Sequence, residues 1–142
     1  MTSSSVVKTL QEILNVQIKS QKFSRIFDGI RVIAAEKPGR VQCEIDIEEK
    51  HLNRGNTMHG GMVTSLVDTV STLALESTKN HPIGVSVDLS VSFLKAAKPG
   101  ETIIIDAETI KLGKTLAFLN VELRNKKTNE LIATGKHTKF LS

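Results

Sequence analysis

Two rhythms of hydrophobic positions divide the chain. Over residues 5–20, Val6, Val7, Leu10, Ile13, Leu14 and Ile18 recur at helical spacing behind Ser3-Ser4-Ser5, the candidate caps. They predict an N-terminal amphipathic helix whose apolar stripe packs on the body or on a neighbouring subunit. Phe23 and Phe27 extend that apolar edge towards Gly29. A period of two then takes over. Ile30–Glu36 is rich in β-branched residues, and Lys37-Pro38-Gly39-Arg40 is a turn signal. Val41, Cys43, Ile45 and Ile47 alternate with Gln42, Glu44, Asp46 and Glu48, as in a strand with one wet face.

The helical period returns after a loop over 51–59. Met62, Leu66, Val70 and Leu73 step four, four and three residues along one stripe. This helix is expected to end near Ser77 or Lys79, before Asn80-His81-Pro82. Its chemistry is unusual. The protein is 24% charged, yet between Gly55 and Leu75 the only ionisable residues are His59 and Asp68. Asp68 lies off the apolar stripe, beside Thr64, Ser65, Ser71 and Thr72. A lone carboxylate there suits catalysis or a buried hydrogen bond better than solubility.

Gly60 and Gly61 open this helix, where the first-turn N–H groups lack intrahelical partners and the helix dipole is positive. A ligand can approach bare backbone at such a point, and a carbonyl oxygen gaining negative charge would be stabilised as in an oxyanion hole. The alternative is a tight turn into a buried helix. Asp68 is ~12 Å from Gly60 along the axis at ~1.5 Å per residue, too far for both to touch one reacting carbon. Either the two act in different places, or Asp68 of one copy meets Gly60 of another across a two-fold axis. The second arrangement predicts a homodimer with composite sites.

From Gly84 the pattern is almost all strand. Val85, Val87, Leu89, Val91 and Phe93 alternate with Ser86, Asp88, Ser90 and Ser92, and Lys98-Pro99-Gly100-Glu101 marks a turn. Thr102–Lys111 and Thr115–Arg124 are joined through Leu112-Gly113-Lys114, and Asn125–Glu130 leads into a last strand, Leu131–Phe140. The order is a helix, two strands, a long helix and a four-strand meander. It predicts an α+β fold over one domain, residues 1–142 with a helical segment at 1–28, in which one antiparallel sheet wraps a buried helix.

Composition narrows the function. No apolar run approaches the ~18 residues of a spanning helix and no signal-peptide pattern opens the chain, so stable membrane insertion is not expected. Cys43 is the single cysteine, which excludes an intramolecular disulfide and a cysteine-based metal site and fits a reducing cytoplasm. The opening MTSSSVVKTLQEIL is hydroxyl-rich and acid-poor, compatible with mitochondrial association. Residues 1–94 hold ten Lys/Arg and ten Asp/Glu, whereas residues 95–142 hold nine and five. The whole formal charge of +4 therefore belongs to the last third, as suits a small polyanionic ligand or a solvated lysine-rich surface. Nucleic acid fits worse, because no Trp, no Tyr and five Phe leave few platforms for stacking bases.

HLNRGNTMHGG at a helix start, Asp68 eight residues beyond Gly60, the stretch GVSVDLSVSFLKAAKPGE and the ending LIATGKHTKFL resemble the hotdog-fold acyl-CoA thioesterases over nearly the whole chain. HGG alone is a weak signal, but the ordered set Asn53, His59, Gly60, Asp68 and Ser86 is specific. The resemblance implies a hotdog fold and hydrolysis of medium- to long-chain fatty acyl-CoA to free fatty acid and coenzyme A. It implies that the Gly60 N–H, helped by Asn53, polarises the thioester carbonyl. It makes Asp68 of the partner subunit the general base, or a nucleophile. Ser86 would hold the water, and His59 would orient the thioester or Asn53. No metal or redox cofactor is implied, coenzyme A being part of the substrate. Family members pair two sheets edge to edge around antiparallel helices, and commonly form tetramers as dimers of dimers.

The resemblance also implies where coenzyme A runs: over Asp88, Phe93, Leu94, Lys95, Ala96, Ala97 and Lys98, and over Lys111, Leu112, Gly113, Lys114, Thr115 and Leu116. The four lysines of these segments would meet the phosphates. Phe140 stands at a further nucleotide position where the family often carries histidine. Arg54 and Asn56 sit in a loop where relatives have smaller or apolar residues. Structural alternatives stand beside these roles. Ser86 could be one wet-face serine, His59 a helix cap, and Asn53 the start of an Asx turn. His51, His81 and His137 are scattered and receive no role. Two rival functions are a hydroxyacyl dehydratase with His59 as base, and a non-catalytic acyl-CoA or lipid carrier with Asp68 as a structural acceptor.

Overall fold

A computed structural model of the chain describes residues 2–78 and 82–141. The element order is α1 (Ser3–Lys19), β1 (Arg31–Ala34), β2 (Arg40–Asp46), α2 (Gly60–Glu76), β3 (Val85–Phe93), β4 (Thr102–Leu112), β5 (Leu116–Asn125) and β6 (Leu131–Phe140), with short 3₁₀ turns at Phe23–Phe27 and Glu49–His51. The six strands form one antiparallel sheet in the order β1-β2-β4-β5-β6-β3.

The sheet curls around α2. Met62, Leu66, Val70 and Leu73, the expected stripe, are buried, and so are Val63, Val67 and Ala74 on either side of it. They meet the inward residues Val41, Cys43, Ile45, Ile103, Ile105, Val121 and Leu123 in one core. The helix packs tightly on the sheet at Gly135, where an added Cβ would lie 2.5 Å from Val67 Cγ1. Four hydroxyl side chains on α2 bond back to the helix: Thr64 donates to the Gly60 carbonyl, Ser65 to that of Gly61, and both Ser71 and Thr72 to that of Asp68. The helix stops at Glu76 with Ser77 as C-cap; Lys79, Asn80 and His81 lie outside the described residues. For α1 the cap is Thr2, whose side chain accepts from the Ser5 N–H, so Ser3-Ser4-Ser5 lies inside the first turn instead of preceding it.

Two expectations need correction. The last four strands are not a meander: β4, β5 and β6 are, but β3 pairs with β6 at the far edge and not with β4. Alternation along a strand sets which side chains share a face, not which strand lies alongside. The serines of β3 also do not share one face. The β3–β6 register shifts between Ser86 and Asp88, so Ser86 sits opposite Lys139 whereas Asp88 sits opposite Thr138. This bulge at Val87 turns Ser86 inward with Leu89 and Val91, and leaves Asp88, Ser90 and Ser92 outward.

The two sheet edges are treated differently. At β1, the Gln11 side chain on α1 accepts the Val32 N–H at 2.7 Å and donates to the Ile30 carbonyl at 3.1 Å, covering that edge. At β3, nine residues run along an uncovered edge with Val85 and Val87 64% and 61% exposed.

Candidate active site

The start of α2 is built by His59. Its Nδ1 accepts the Gly61 N–H at 2.7 Å, and its carbonyl accepts from Met62 and Val63 at 2.9 and 3.1 Å. These bonds skip Gly60, whose N–H has no acceptor among the described residues. Phe93 packs on this glycine, its ring Cε1 3.4 Å from where a Cβ would stand. A cleft of about 380 Å³ opens here, lined by Asn53, Gly60, Phe93, Leu94, Lys95 and Ala97, with Ala96 alongside. Asn53 forms an Asx turn: its Oδ1 accepts from the Gly55 and Thr57 N–H groups at 2.9 and 3.1 Å, and its Nδ2 donates to Thr57 Oγ1. The turn also holds Asn53 at the cleft. His59 makes no bond to Asn53; its ring is engaged as a cap.

Asp68 belongs to a second cluster, two turns further along α2. Its side chain is 50% exposed and accepts no hydrogen bond among the described residues; the nearest basic nitrogen is His137 Nε2 at 3.9 Å. His137, 1% exposed, is held on both sides: Nδ1 lies 2.7 Å from Ser71 Oγ and Nε2 2.7 Å from Ser86 Oγ. Burial pushes its pKa below the ordinary histidine value, against the opposing pull of Asp68. Lys139, also buried, donates to Thr72 Oγ1 at 3.0 Å; burial lowers its pKa, while Asp68 and Glu76 raise it. Glu76 has its carboxyl pushed up by its own burial, offset by Lys139.

Within one protomer the candidate residues therefore fall into two half-sites, Asn53-His59-Gly60 and Asp68-Ser86. His137 is the residue that sequence reasoning missed. Its signal was the phase of the last strand: Ala133 and Gly135 face inward, and two ionisable residues, His137 and Lys139, continue that inward phase.

The candidate nucleotide residues divide in the same way. Phe93, Leu94, Lys95, Ala96, Ala97 and Lys98 follow the end of β3 beside Gly60. Lys111, Leu112, Gly113, Lys114, Thr115, Leu116 and Phe140 gather at its beginning, where Leu116, Phe140 and Val85 form one cross-strand row. Lys111, Phe118, Thr138 and Asp88 form the next. The length of β3, roughly 26 Å at about 3.3 Å per residue, separates the groups. Lys95 is paired with Glu130, whereas the ammonium groups of Lys98, Lys111 and Lys114 have no carboxylate partner among the described residues. Arg54 and Asn56 are exposed in the loop, Asn56 at a positive φ of 59°.

Comparison with known proteins gives this arrangement a family. Residues 55–132 match the Thioesterase superfamily. Human acyl-coenzyme A thioesterase 13 is 44% identical over 137 residues, which cover 96% of this chain and 97% of that one. The chain belongs to the thioesterase superfamily. The crystal structure of zebrafish thioesterase superfamily member 2 superposes on this thioesterase with a TM-score of 0.93 at 43% identity, over 100% of this chain and 99% of the other. That of smu.793 from Streptococcus mutans, bound to acetyl CoA, gives 0.75 at 27% identity over 82% and 90%. The sheet wrapped on a central helix is thus the hotdog fold of this superfamily. Among the described residues no helix of this thioesterase is long and apolar enough to cross a membrane.

Proposed function

We propose that this thioesterase hydrolyses medium- to long-chain fatty acyl-CoA to a free fatty acid and coenzyme A, in a site shared between two protomers. The observation that carries the reading is the Gly60 N–H, left without an acceptor among the described residues at a helix start that lines a cleft. A thioester oxygen placed there meets an amide donor in a positive helix-end field, with the Asn53 amide at the same cleft. Water attacks the carbonyl carbon, Asp68 of the partner subunit takes its proton, and the C–S bond breaks to release the thiol. The names of the relatives and the acetyl CoA bound to the Streptococcus mutans protein support the substrate class.

The bare edge of β3 supports the shared site. Pairing two β3 strands antiparallel across a two-fold axis brings the beginning of one against the end of the other. The Asp68-Ser86 half-site of one protomer then faces the Asn53-Gly60 half-site of its twin. The same operation joins the two halves of the nucleotide path, with Lys98, Lys111 and Lys114 as phosphate partners. A pair of such dimers gives the tetramer. His59 serves as the cap that keeps the helix start open. With Nδ1 accepting the Gly61 N–H, the neutral ring carries its proton on Nε2 and has no free lone pair, which weighs against the dehydratase reading.

Thiol release, followed with a colorimetric reagent across acyl-CoA chain lengths, tests the proposal. The expected result is turnover rising with chain length into the medium-to-long range, and a fall in kcat of at least ~100-fold in Asp68→Asn with the dimer intact. Undiminished kcat in that variant removes Asp68 from the mechanism. Water loss from a 3-hydroxyacyl thioester without free thiol establishes the dehydratase, and acyl-CoA binding without turnover establishes the carrier.

A further inference from the structure

We propose that His137 is a positioning residue which, through the chain Ser71–His137–Ser86, makes the Ser86 hydroxyl an obligatory hydrogen-bond acceptor for the attacking water. The inference rests on the hydrolase reading above, and deepens it by assigning a task to a buried group outside the residue set implied by the family resemblance.

The direction of each hydrogen bond follows from its neighbour. Ser71 Oγ lies 3.0 Å from the Asp68 carbonyl oxygen, which can only accept, and we assign the Ser71 proton to that contact. Ser71 Oγ must then accept at its 2.7 Å contact with His137 Nδ1, and the proton sits on Nδ1. The ring is 1% exposed and resists a second proton, which leaves Nε2 with a lone pair. At the 2.7 Å contact with Nε2 the donor is therefore Ser86. Its only proton is spent, and Ser86 Oγ offers lone pairs alone.

The geometry around Nε2 gives this polarity its use. Asp68 Oδ1 stands 3.9 Å from the same nitrogen that holds Ser86, so hydroxyl and carboxylate border one position. A water there gives one hydrogen to Ser86 Oγ and the other to Asp68, and its oxygen lone pair is left for the thioester carbon. When the C–O bond forms, the proton on the Asp68 side transfers to the carboxylate and later goes to the departing thiolate. A hydroxyl free to rotate could donate to the water instead and occupy that lone pair. The half-site that handles water is thus complete within one protomer: carboxylate from α2, serine from the bulged strand β3, histidine from β6.

The same contacts resemble a nucleophilic serine beside a histidine base, and the surroundings argue against it. An imidazolium at His137 would direct its Nδ1–H at a neutral hydroxyl, whereas triads place a carboxylate there. Burial opposes a cation on the ring most strongly, and Lys139 on β6 adds to that; Asp68 on α2, 3.9 Å away, and Asp88 on β3, past the bulge on the outer face, favour one.

Nitrogen-15 NMR of histidine-labelled protein, with His137 assigned through His137→Gln, reads the tautomer without reference to activity. The expected state near neutral pH is protonated Nδ1 and bare Nε2; an Nε2–H tautomer or an imidazolium overturns the proposal. Kinetically, His137→Ala and Ser71→Ala should each lower kcat by about 10–100-fold with KM little changed. His137→Gln, whose side-chain carbonyl can accept from Ser86, should recover part of the loss. The double variant Ser86→Ala/His137→Ala should be no slower than Ser86→Ala alone; additive losses overturn the proposal, as does an acyl group trapped on Ser86. If His137→Ala does not fold, Ser71→Ala and His137→Gln carry the same test. Failure of thiol release in the native enzyme overturns the hydrolase reading, and the water role with it. Thiol release that depends on Asp68 but not on His137 or Ser71 overturns this inference alone.

Discussion

At the scale of single residues, the side chains that matter are those whose environment contradicts their chemistry. Glu44 is 8% exposed on β2, between Arg31 at 3.0 Å and Lys126 at 2.7 Å. Lys126 first, then Arg31, hold its carboxyl below the usual glutamate range, against the opposing effect of burial. A folded-state pKa below the unfolded one stabilises the protein above the ordinary value, and the contribution is lost as pH falls through the lowered value. Glu44→Gln should therefore melt a few degrees lower than the native protein at neutral pH, and the difference should close as the pH falls below the ordinary glutamate range, as read by thermal denaturation at each pH. Asp68 stands out for a different reason, as the one charged residue of α2 before its terminal Glu76, and was legible as a candidate for that reason. His137 was not: one histidine in a polar-looking strand carries no mark until its two serine partners, 66 and 51 residues away, are in place.

At the scale of elements, β3 carries more of the site than its alternating pattern suggests. The bulge at Val87 decides that Ser86 faces His137, and the start of the strand is pinned by Gly84. Gly84 has a φ of +73°, and a Cβ there would stand 2.1 Å from the Phe140 carbonyl oxygen. A side chain thus meets both a disfavoured backbone conformation and β6 itself. Gly84→Ala should lower Tm by several degrees and reduce kcat more than it changes KM, because Ser86 lies two residues downstream; calorimetry and thiol release measure the two effects. A Gly84→Ala protein with native Tm and kcat would show that the strand can absorb the displacement.

At the scale of the whole molecule, the consequence of a divided site is genetic as much as structural. If Asp68 of one chain serves Asn53 and Gly60 of the other, Asp68→Asn and Asn53→Ala subunits complement each other. In a random mixture half the dimers are mixed, and each mixed dimer has one intact site and one doubly altered site. Co-expressed or subunit-exchanged variants should reach about a quarter of native activity, although each alone is nearly inactive. Activity no higher than the mean of the separate variants would place both half-sites within single chains.

Local chemistry determined much of this protein in advance. Periodicity marked out both helices and two of the strands, because burial on one face forces a period of 3.6 or 2, while β-branched content and turn signals marked out the other four. The charge-poor helix with its glycine start marked Gly60 and Asp68 as candidates, because charge and side chains are scarce where a solvated helix would carry them. Tertiary structure alone decided three things. It placed β3 beside β6 instead of β4, since ladder pairing joins strands far apart in sequence. It turned Ser86 inward through one extra residue in that ladder. It completed the Ser71–His137–Ser86 relay, since hydrogen bonds between three separate elements have no spacing in the chain to betray them.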